Sequence, residues 1–269
     1  REPAERELIF AALSEGSSRV NYAPPSVQRL VDLLKSIGVD IQWEKSALVV
    51  AGRGLLDFSP PSGMLDIEGL GASALLVLAL LAGQPFTTRV KLGAEAENAE
   101  LLLQLLALMG MPAQQETESA YAVGNGEPLA IEHGEVDIDA ATKLAVMVAA
   151  LFCQGTTVLP ESIKNRHRLE RLLRQRQVEV GRRRADEQYL VSIAGGQILQ
   201  AQDFDVPGQL DLAYALMLPA LVLKKSELTI KHVAVRSGQR SFLDLLRQIG
   251  AEITLKDLGE NTYDLQLGF

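Results

Sequence analysis

The sequence predicts an α/β protein built from tandem βαβαββ units, with helices inside and sheets outside. Three observations lead there. A pattern of roughly 70 residues recurs four times along the chain. The first helices of the last three copies are apolar nearly all round, as in Leu75–Leu81 and Lys143–Phe152, and such a helix has no face to offer to water. Segments of alternating polarity follow the second helices and read as short hairpins.

In each copy an apolar helix leads through a turn into a strand: Ala11–Val20, Leu80–Val90, Ala150–Val158 and Leu221–Ile230. The second helices align as Leu30–Val39, Leu102–Met111, Leu169–Val178 and Leu243–Ala251. Their apolar residues recur at spacings of three and four, which gives each helix one buried face. Gly38, Gly110 and Gly250 fall where a left-handed residue stops a helix, and Gln177 takes that place in the third copy at a small cost. Strand pairs such as Ile41–Glu44 with Ala47–Val50 and Ile253–Leu255 with Tyr263–Leu267 complete the copies. No strand precedes the first helix of the first copy, which implies a longer polypeptide or a strand borrowed from another copy.

Of 269 residues, 47% are apolar and 5% aromatic, a Leu, Ala, Val and Ile mixture that suits helices on sheets. Acidic side chains outnumber basic ones by 34 to 26, for a net charge of −8. That balance argues against a nucleic-acid partner, which needs a basic face. The run Arg182-Arg183-Arg184, beside Asp186 and Glu187, reads as a solvated hairpin tip rather than a phosphate patch. Cys153, the single cysteine, sits in an apolar helical context and reads as buried and inert. The chain opens on charged residues rather than a signal peptide, and its most apolar stretch, Ala74–Ala82, is too short to cross a bilayer. These features predict a cytoplasmic protein with no membrane partner.

His133, His167 and His232 fall in no motif, and no His/Cys/Asp set has ligand spacing. Neither a metal nor a cofactor is expected. Gly124-Asn125-Gly126 reads as a turn because no helix follows it. Asp203, Asp205 and Asp211 read as strand and helix-terminus residues rather than a cation site.

Longer segments carry a more specific likeness. Arg6 through Ile41, Leu65 through Phe86, Lys143 through Leu173, and Asp205-Val206-Pro207-Gly208 with Ser226–Lys231 resemble, in order and spacing, the first four units of the enolpyruvyl transferases. The likeness is to the EPSP synthase type (3-phosphoshikimate 1-carboxyvinyltransferase). RNA 3′-phosphate cyclases share this kind of repeat, but their nucleotide-reactive His in a basic groove has no counterpart here. The resemblance implies an inside-out α/β barrel, built in that family from six units, three per domain. Residues 1–197 would then form a three-unit domain. Residues 198–269 would form a fourth unit, either an incomplete second domain or packed on the first. The implied activity moves the enolpyruvyl group of phosphoenolpyruvate to a hydroxyl of shikimate 3-phosphate and releases phosphate, in the shikimate route to aromatic amino acids.

Most of the family's anion-gripping groups are replaced. Its opening Gly-Asp-Lys-Ser-x-Ser-x-Arg aligns with Arg1-Glu2-Pro3-Ala4-Glu5-Arg6, so Arg6 survives, Arg1 stands near the lysine, and Glu2 and Glu5 bring carboxylates that repel a phosphate. Asn-Ser-Gly-Thr becomes Gly69-Leu70-Gly71-Ala72, and the arginine that follows it becomes Leu75. Arg-Lys-Arg-Pro becomes Glu95-Ala96-Glu97-Asn98, reversed in charge. Ser-Ala-Gln-x-Lys-Ser becomes Asp139-Ala140-Ala141-Thr142-Lys143-Leu144, and Ser-Arg-Asp-His-Thr-Glu-Arg becomes Asn165-Arg166-His167-Arg168-Leu169-Glu170-Arg171. The family's fifth and sixth units, with its catalytic Asp and later Lys, Glu and Arg, have no counterpart in these 269 residues.

The resemblance therefore leaves Arg6, Lys143, Arg166 and Arg171 as residual anion-binding candidates for a phosphorylated small molecule, and no residue in a catalytic role. The expectation is a non-catalytic member that keeps the scaffold for structural or interaction use. The alternative is a fragment or divergent member of an active transferase. The fourth unit, with its apolar stretch Leu216–Leu223, predicts packing on the first three units, self-association or a partner protein.

Overall fold

The computed structural model describes residues 2–93, 96–132, 138–161, 168–185, 188–223, 226–235, 239–248, 250–259 and 262–268. The chain divides into two compact parts, residues 1–204 and 205–269. The first copy of the repeat runs α1 (Glu2–Leu13), β1 (Ser14–Asn21), α2 (Gln28–Ser36), β2 (Asp40–Glu44) and β3 (Ala47–Arg53). The second runs β4 (Leu65–Asp66), α3 (Ala72–Ala82), β5 (Thr87–Lys91), α4 (Ala96–Leu108), β6 (Ala113–Gln115) and β7 (Ala120–Gly124). The third runs α5 (Ala140–Ala150), β8 (Thr156–Glu161), α6 (Arg168–Arg174), β9 (Val180–Ala185) and β10 (Gln188–Ala194). Two short strands, β11 (Leu199–Gln200) and β12 (Phe204–Asp205), lead to the fourth copy. It comprises β13 (Gly208–Gln209), α7 (Leu210–Val222), β14 (Glu227–Ala234), α8 (Arg240–Gln248), β15 (Glu252–Gly259) and β16 (Thr262–Gly268).

The second and fourth copies make the same sheet, β4-β5-β7-β6 and β13-β14-β16-β15, with the first strand parallel to the second. In the third, β8-β10-β9, parallel bridges from Leu129 to Gln154 and from Glu132 to Val158 hold the place of the first strand. The strand missing ahead of α1 comes from the same chain. Leu199 and Gln200 of β11 pair in parallel with Ser14 and Glu15, giving the order β11-β1-β3-β2. The run after the third copy thus completes the sheet of the first.

The inner layer consists of α1, α3 and α5. Ten consecutive residues of α3, Ser73 to Ala82, are buried, as are nine of α5, Thr142 to Ala150. In α1, Leu8 through Leu13 are at most 2% exposed. Each fully buried Leu, Ile or Phe adds roughly 1.5–3 kcal/mol, so these helices hold much of the apolar energy of the first part. The outer faces of the strands meet water, as the alternation in β5 shows. Among the described residues no helix is long and apolar enough to cross a membrane.

Two local devices repeat with the copies. Every second helix ends in the same left-handed turn, with φ of 95°, 71°, 62° and 101° at Gly38, Gly110, Gln177 and Gly250. The following amide reaches back five residues each time: Val39 to Leu34 O at 3.1 Å, Met111 to Leu106 O at 2.9 Å, Val178 to Leu173 O at 3.2 Å and Ala251 to Leu246 O at 3.0 Å. The second device is a close approach of the last strand to the end of the inner helix. A Cβ on Gly52, Gly124 or Gly195 would fall 2.6, 2.9 or 3.0 Å from the carbonyl oxygen of Ala11, Leu81 or Ala150. At Gly195 it would also fall 1.8 Å from that of Cys153.

Opposite effects are expected at the two devices. Gln177→Gly relieves a left-handed non-glycine and should stabilise by about 1 kcal/mol. Gly195→Ala forces a side chain into backbone and should destabilise by about 2–3 kcal/mol. Urea unfolding midpoints of both variants against the parent chain measure this.

Candidate functional site

The amino ends of the three inner helices meet in a groove of about 350 Å³. Arg6 of α1, Ala72, Ser73 and Leu76 of α3, Ala140, Ala141 and Leu144 of α5, its cap Asp139, and Leu169 of α6 line it. Helix amino ends carry orphan N–H groups and partial positive charge, which makes such a meeting point attractive to anions. α3 starts after Gly71 with no side-chain cap.

This protein meets that potential with its own carboxylates. Asp139 Oδ1 accepts from the amides of Ala141 at 2.8 Å and Thr142 at 3.1 Å. Glu5, 2% exposed, accepts from Ser73 Oγ at 3.0 Å and so joins α1 to the first turn of α3. It is buried between helices rather than facing the groove. Among the described residues the groove has one cationic lining residue, Arg6, whose Nε and Nη2 both lie 3.3 Å from Glu7 Oε1. Glu7 is also buried and paired with Arg176, whose guanidinium stands 4.7 Å over the Phe10 ring.

Lys143 lies one helical turn beyond Asp139 but does not line the groove. Its side chain is 3% exposed, with Nζ 3.9 Å from Glu170 of α6. Burial pushes the ammonium below its ordinary value, Glu170 and Glu161 draw it back up, and Arg182 lowers it further. Arg182 belongs to the same buried cluster: it pairs with Glu161 at 2.7 Å and stacks 4.0 Å over Tyr189. Arg183 pairs with Glu132 at 3.1 Å. The triple arginine is therefore part of β9 and not the hairpin tip, because Arg182 stands opposite Val191 on the ladder and its charge is taken up by Glu161.

A second groove of about 450 Å³ lies at the carboxyl end of α1, near Glu15, Arg53, Leu56 and Ile198. Arg53 there is engaged by Asp57, with Nε 2.7 Å from its carbonyl oxygen. Cys153 is buried, and burial pushes its thiol up to about 11. Asp211 sits in the first turn of α7, and His232 lies in β14, where Nε2 is 3.1 Å from the carbonyl oxygen of Asp205. Among the described residues no group of three His, Cys, Asp or Glu side chains could hold a metal ion.

A family model for EPSP synthase (3-phosphoshikimate 1-carboxyvinyltransferase) matches residues 2–266. The chain belongs to the EPSP synthase family. It is 29% identical over 267 residues to a 3-phosphoshikimate 1-carboxyvinyltransferase of Bacillus pumilus, covering 95% of this chain and 60% of the relative. A relative of the same name in Bacillus subtilis is 28% identical, with 97% and 62% covered. The solved EPSP synthase of Acinetobacter baumannii superposes with a TM-score of 0.77 at 21% identity, covering 98% of this chain and 61% of that one. That likeness fixes the fold as the inside-out α/β type. The chain spans about three fifths of the length of the relatives it matches.

Within this EPSP synthase scaffold, the groove gathers Arg6 but neither of the other two described cations singled out in the sequence. Lys143 is buried behind it, Arg171 is exposed on α6 outside the lining, and Arg166 lies outside the described residues, as do Arg1, Glu95, Asn165 and His167. Sequence reasoning missed Glu7 with Arg176, 169 positions apart, because nothing in the local pattern couples them.

Burial alone would raise the Asp139 carboxyl, but the nearby Thr142 hydroxyl and hydrogen bonds from the amides of Ala141 and Thr142 outweigh it and hold the group below its ordinary value. A carboxyl lowered in the folded state adds stability above its unfolded pKa and loses it as pH falls through the folded one. Asp139→Ala should therefore cost about 1 kcal/mol at neutral pH. The gap between the two urea midpoints should close below about pH 4.

Proposed function

We propose that this chain is a non-catalytic member of the EPSP synthase family that keeps the scaffold for structural or interaction use. What supports the reading most directly is Asp139. A carboxylate occupies the amino end of α5, where an incoming phosphate would find its donors, and it accepts two amides there. The relatives are named for a phosphorylated substrate, so their groove has to attract anions. A phosphate 4 Å from Asp139 would be repelled by about 1–4 kcal/mol in a water-accessible groove. Arg6 already shares its charge with Glu7. A charge-assisted hydrogen bond to a ligand is worth about 1.5–3 kcal/mol, and affinity falls by that much for every one the groove does not supply. Any residual anion site in this reading is confined to Arg6, Arg171 and, outside the described residues, Arg166. Lys143 serves the interior.

The names of the relatives favour one other reading, a divergent or partial form of an active enolpyruvyl transferase. Phosphate release from phosphoenolpyruvate in the presence of shikimate 3-phosphate separates the two. With the longest natural form of the chain, the expected rate equals that of the protein-free blank. Release that scales with protein concentration overturns the non-catalytic reading.

A further inference from the structure

The inner helices have carboxyl ends as well as amino ends, and the groove of about 450 Å³ lies there. Its walls are segments that join one copy of the repeat to the next. Leu55 and Leu56 follow β3, Gly196 to Leu199 follow β10, and Leu13 is the last residue of α1. These segments are tied to the helix ends. The Gln84 side-chain amide donates to the carbonyl oxygens of Leu80 in α3 and of Leu55, at 3.0 Å each. Gly54 donates to Ser14 O, just past α1, at 3.1 Å, and Gly196 to Leu151 O, just past α5, at 2.7 Å. The groove is thus formed in advance, as ligand sites commonly are. Every lining residue lies between 13 and 199, within the first part of the chain.

Two properties set the chemistry of what fits. The walls are largely apolar, and Leu56 and Ile198 in them are 61% and 51% exposed. The charge is negative. Helix carboxyl ends carry partial negative charge, which favours a cation near the last turn. Glu15 lines the groove, exposed, and its side chain has neither an ion pair nor a hydrogen bond among the described residues. Arg53 stands opposite Glu15 on the ladder of β1 and β3 but turns away to Asp57. Its Nε lies 2.7 Å from the Asp57 carbonyl oxygen and its Nη2 3.2 Å from the carboxylate. The arginine of the lining is therefore engaged, and the Glu15 carboxylate is left over.

We propose that this groove binds an aliphatic ammonium ion, its head on Glu15 and its tail along Leu55, Leu56 and Ile198. A phosphate or carboxylate would meet like charge here. A metal ion asks for several oxygen ligands, and among the described residues no group of three His, Cys, Asp or Glu side chains could hold one. One carboxylate beside an apolar wall suits a cation that carries a hydrocarbon chain. The site is separate from the groove at the amino ends and does not depend on whether that one is catalytic.

Titration calorimetry with octylammonium chloride tests this. The expected result is saturable binding of one ion per chain, by the 269-residue chain and by the longest natural form alike. Across butyl-, hexyl- and octylammonium, affinity should rise about twofold to fourfold for each added methylene. Octanoate, of equal length and opposite charge, should not bind. Glu15→Gln should weaken octylammonium about tenfold, and Ile198→Ser should flatten the dependence on chain length. Both positions are exposed, so circular dichroism should be unchanged. Should a variant misfold, amide shifts of the parent chain decide instead: octylammonium should move Glu15, Gly54 and Ile198, and shifts elsewhere alone overturn the site. Octanoate binding as well as octylammonium, an affinity unmoved by Glu15→Gln, or one independent of chain length overturns it too. So does a longest natural form that takes up no ion. Phosphate release bears on the other groove alone, so each proposal can fail without the other.

Discussion

Apolar helical surface can be kept from water only by other apolar surface, and α3, α5 and the apolar second half of α1, Leu8–Leu13, meet that requirement with one another. The sheets enter second, each laid over one inner helix with its outer face in solvent. From this follow the two ends of the first part. At the carboxyl ends, the last strand of each copy must pass so near the helix carbonyls that only glycine fits, at Gly52, Gly124 and Gly195. At the amino ends, three helix termini are brought to one place, and their partial positive charges point into a common groove.

The same packing explains how the groove is furnished. A convergence of helix amino ends attracts negative charge whether the charge is a ligand or a side chain. Asp139 occupies one such end in the open, and Glu5 reaches another from inside through Ser73. Deeper in, Lys143 with Glu170 and Glu7 with Arg176 join the inner helices to the segments around them. Buried pairs of this kind add little net stability, but either partner left alone is costly, so they hold the helices to one arrangement. Lys143 is thus buried beside Glu170 although the sequence aligns it with a ligand-binding motif.

Much of the fold is legible in the sequence because its signals are local. The repeat, the all-apolar helices and the left-handed helix ends follow from residues within one copy, and even Gln177, in the place of a glycine, adopts a φ of 62°. Less of the site is legible. Arg6 and Asp139 stand where the motifs suggest, at helix amino ends. The burial of Lys143 and the inward turn of Glu5 depend on which side of a helix faces a neighbour distant in sequence. The strand that completes the first sheet, Leu199–Gln200, is too short for any periodicity to reveal.

The sequence by itself determined the architecture, since apolar periodicity and turn residues leave few ways to bury four such copies. It also determined which family motifs are altered. Only the tertiary structure decided what the surviving charges do, and the reason is electrostatic. A charge takes its role from burial and from its nearest opposite charge. Those distances, such as 3.9 Å from Lys143 to Glu170 and 3.3 Å from Arg6 to Glu7, exist only once the three inner helices have closed on each other.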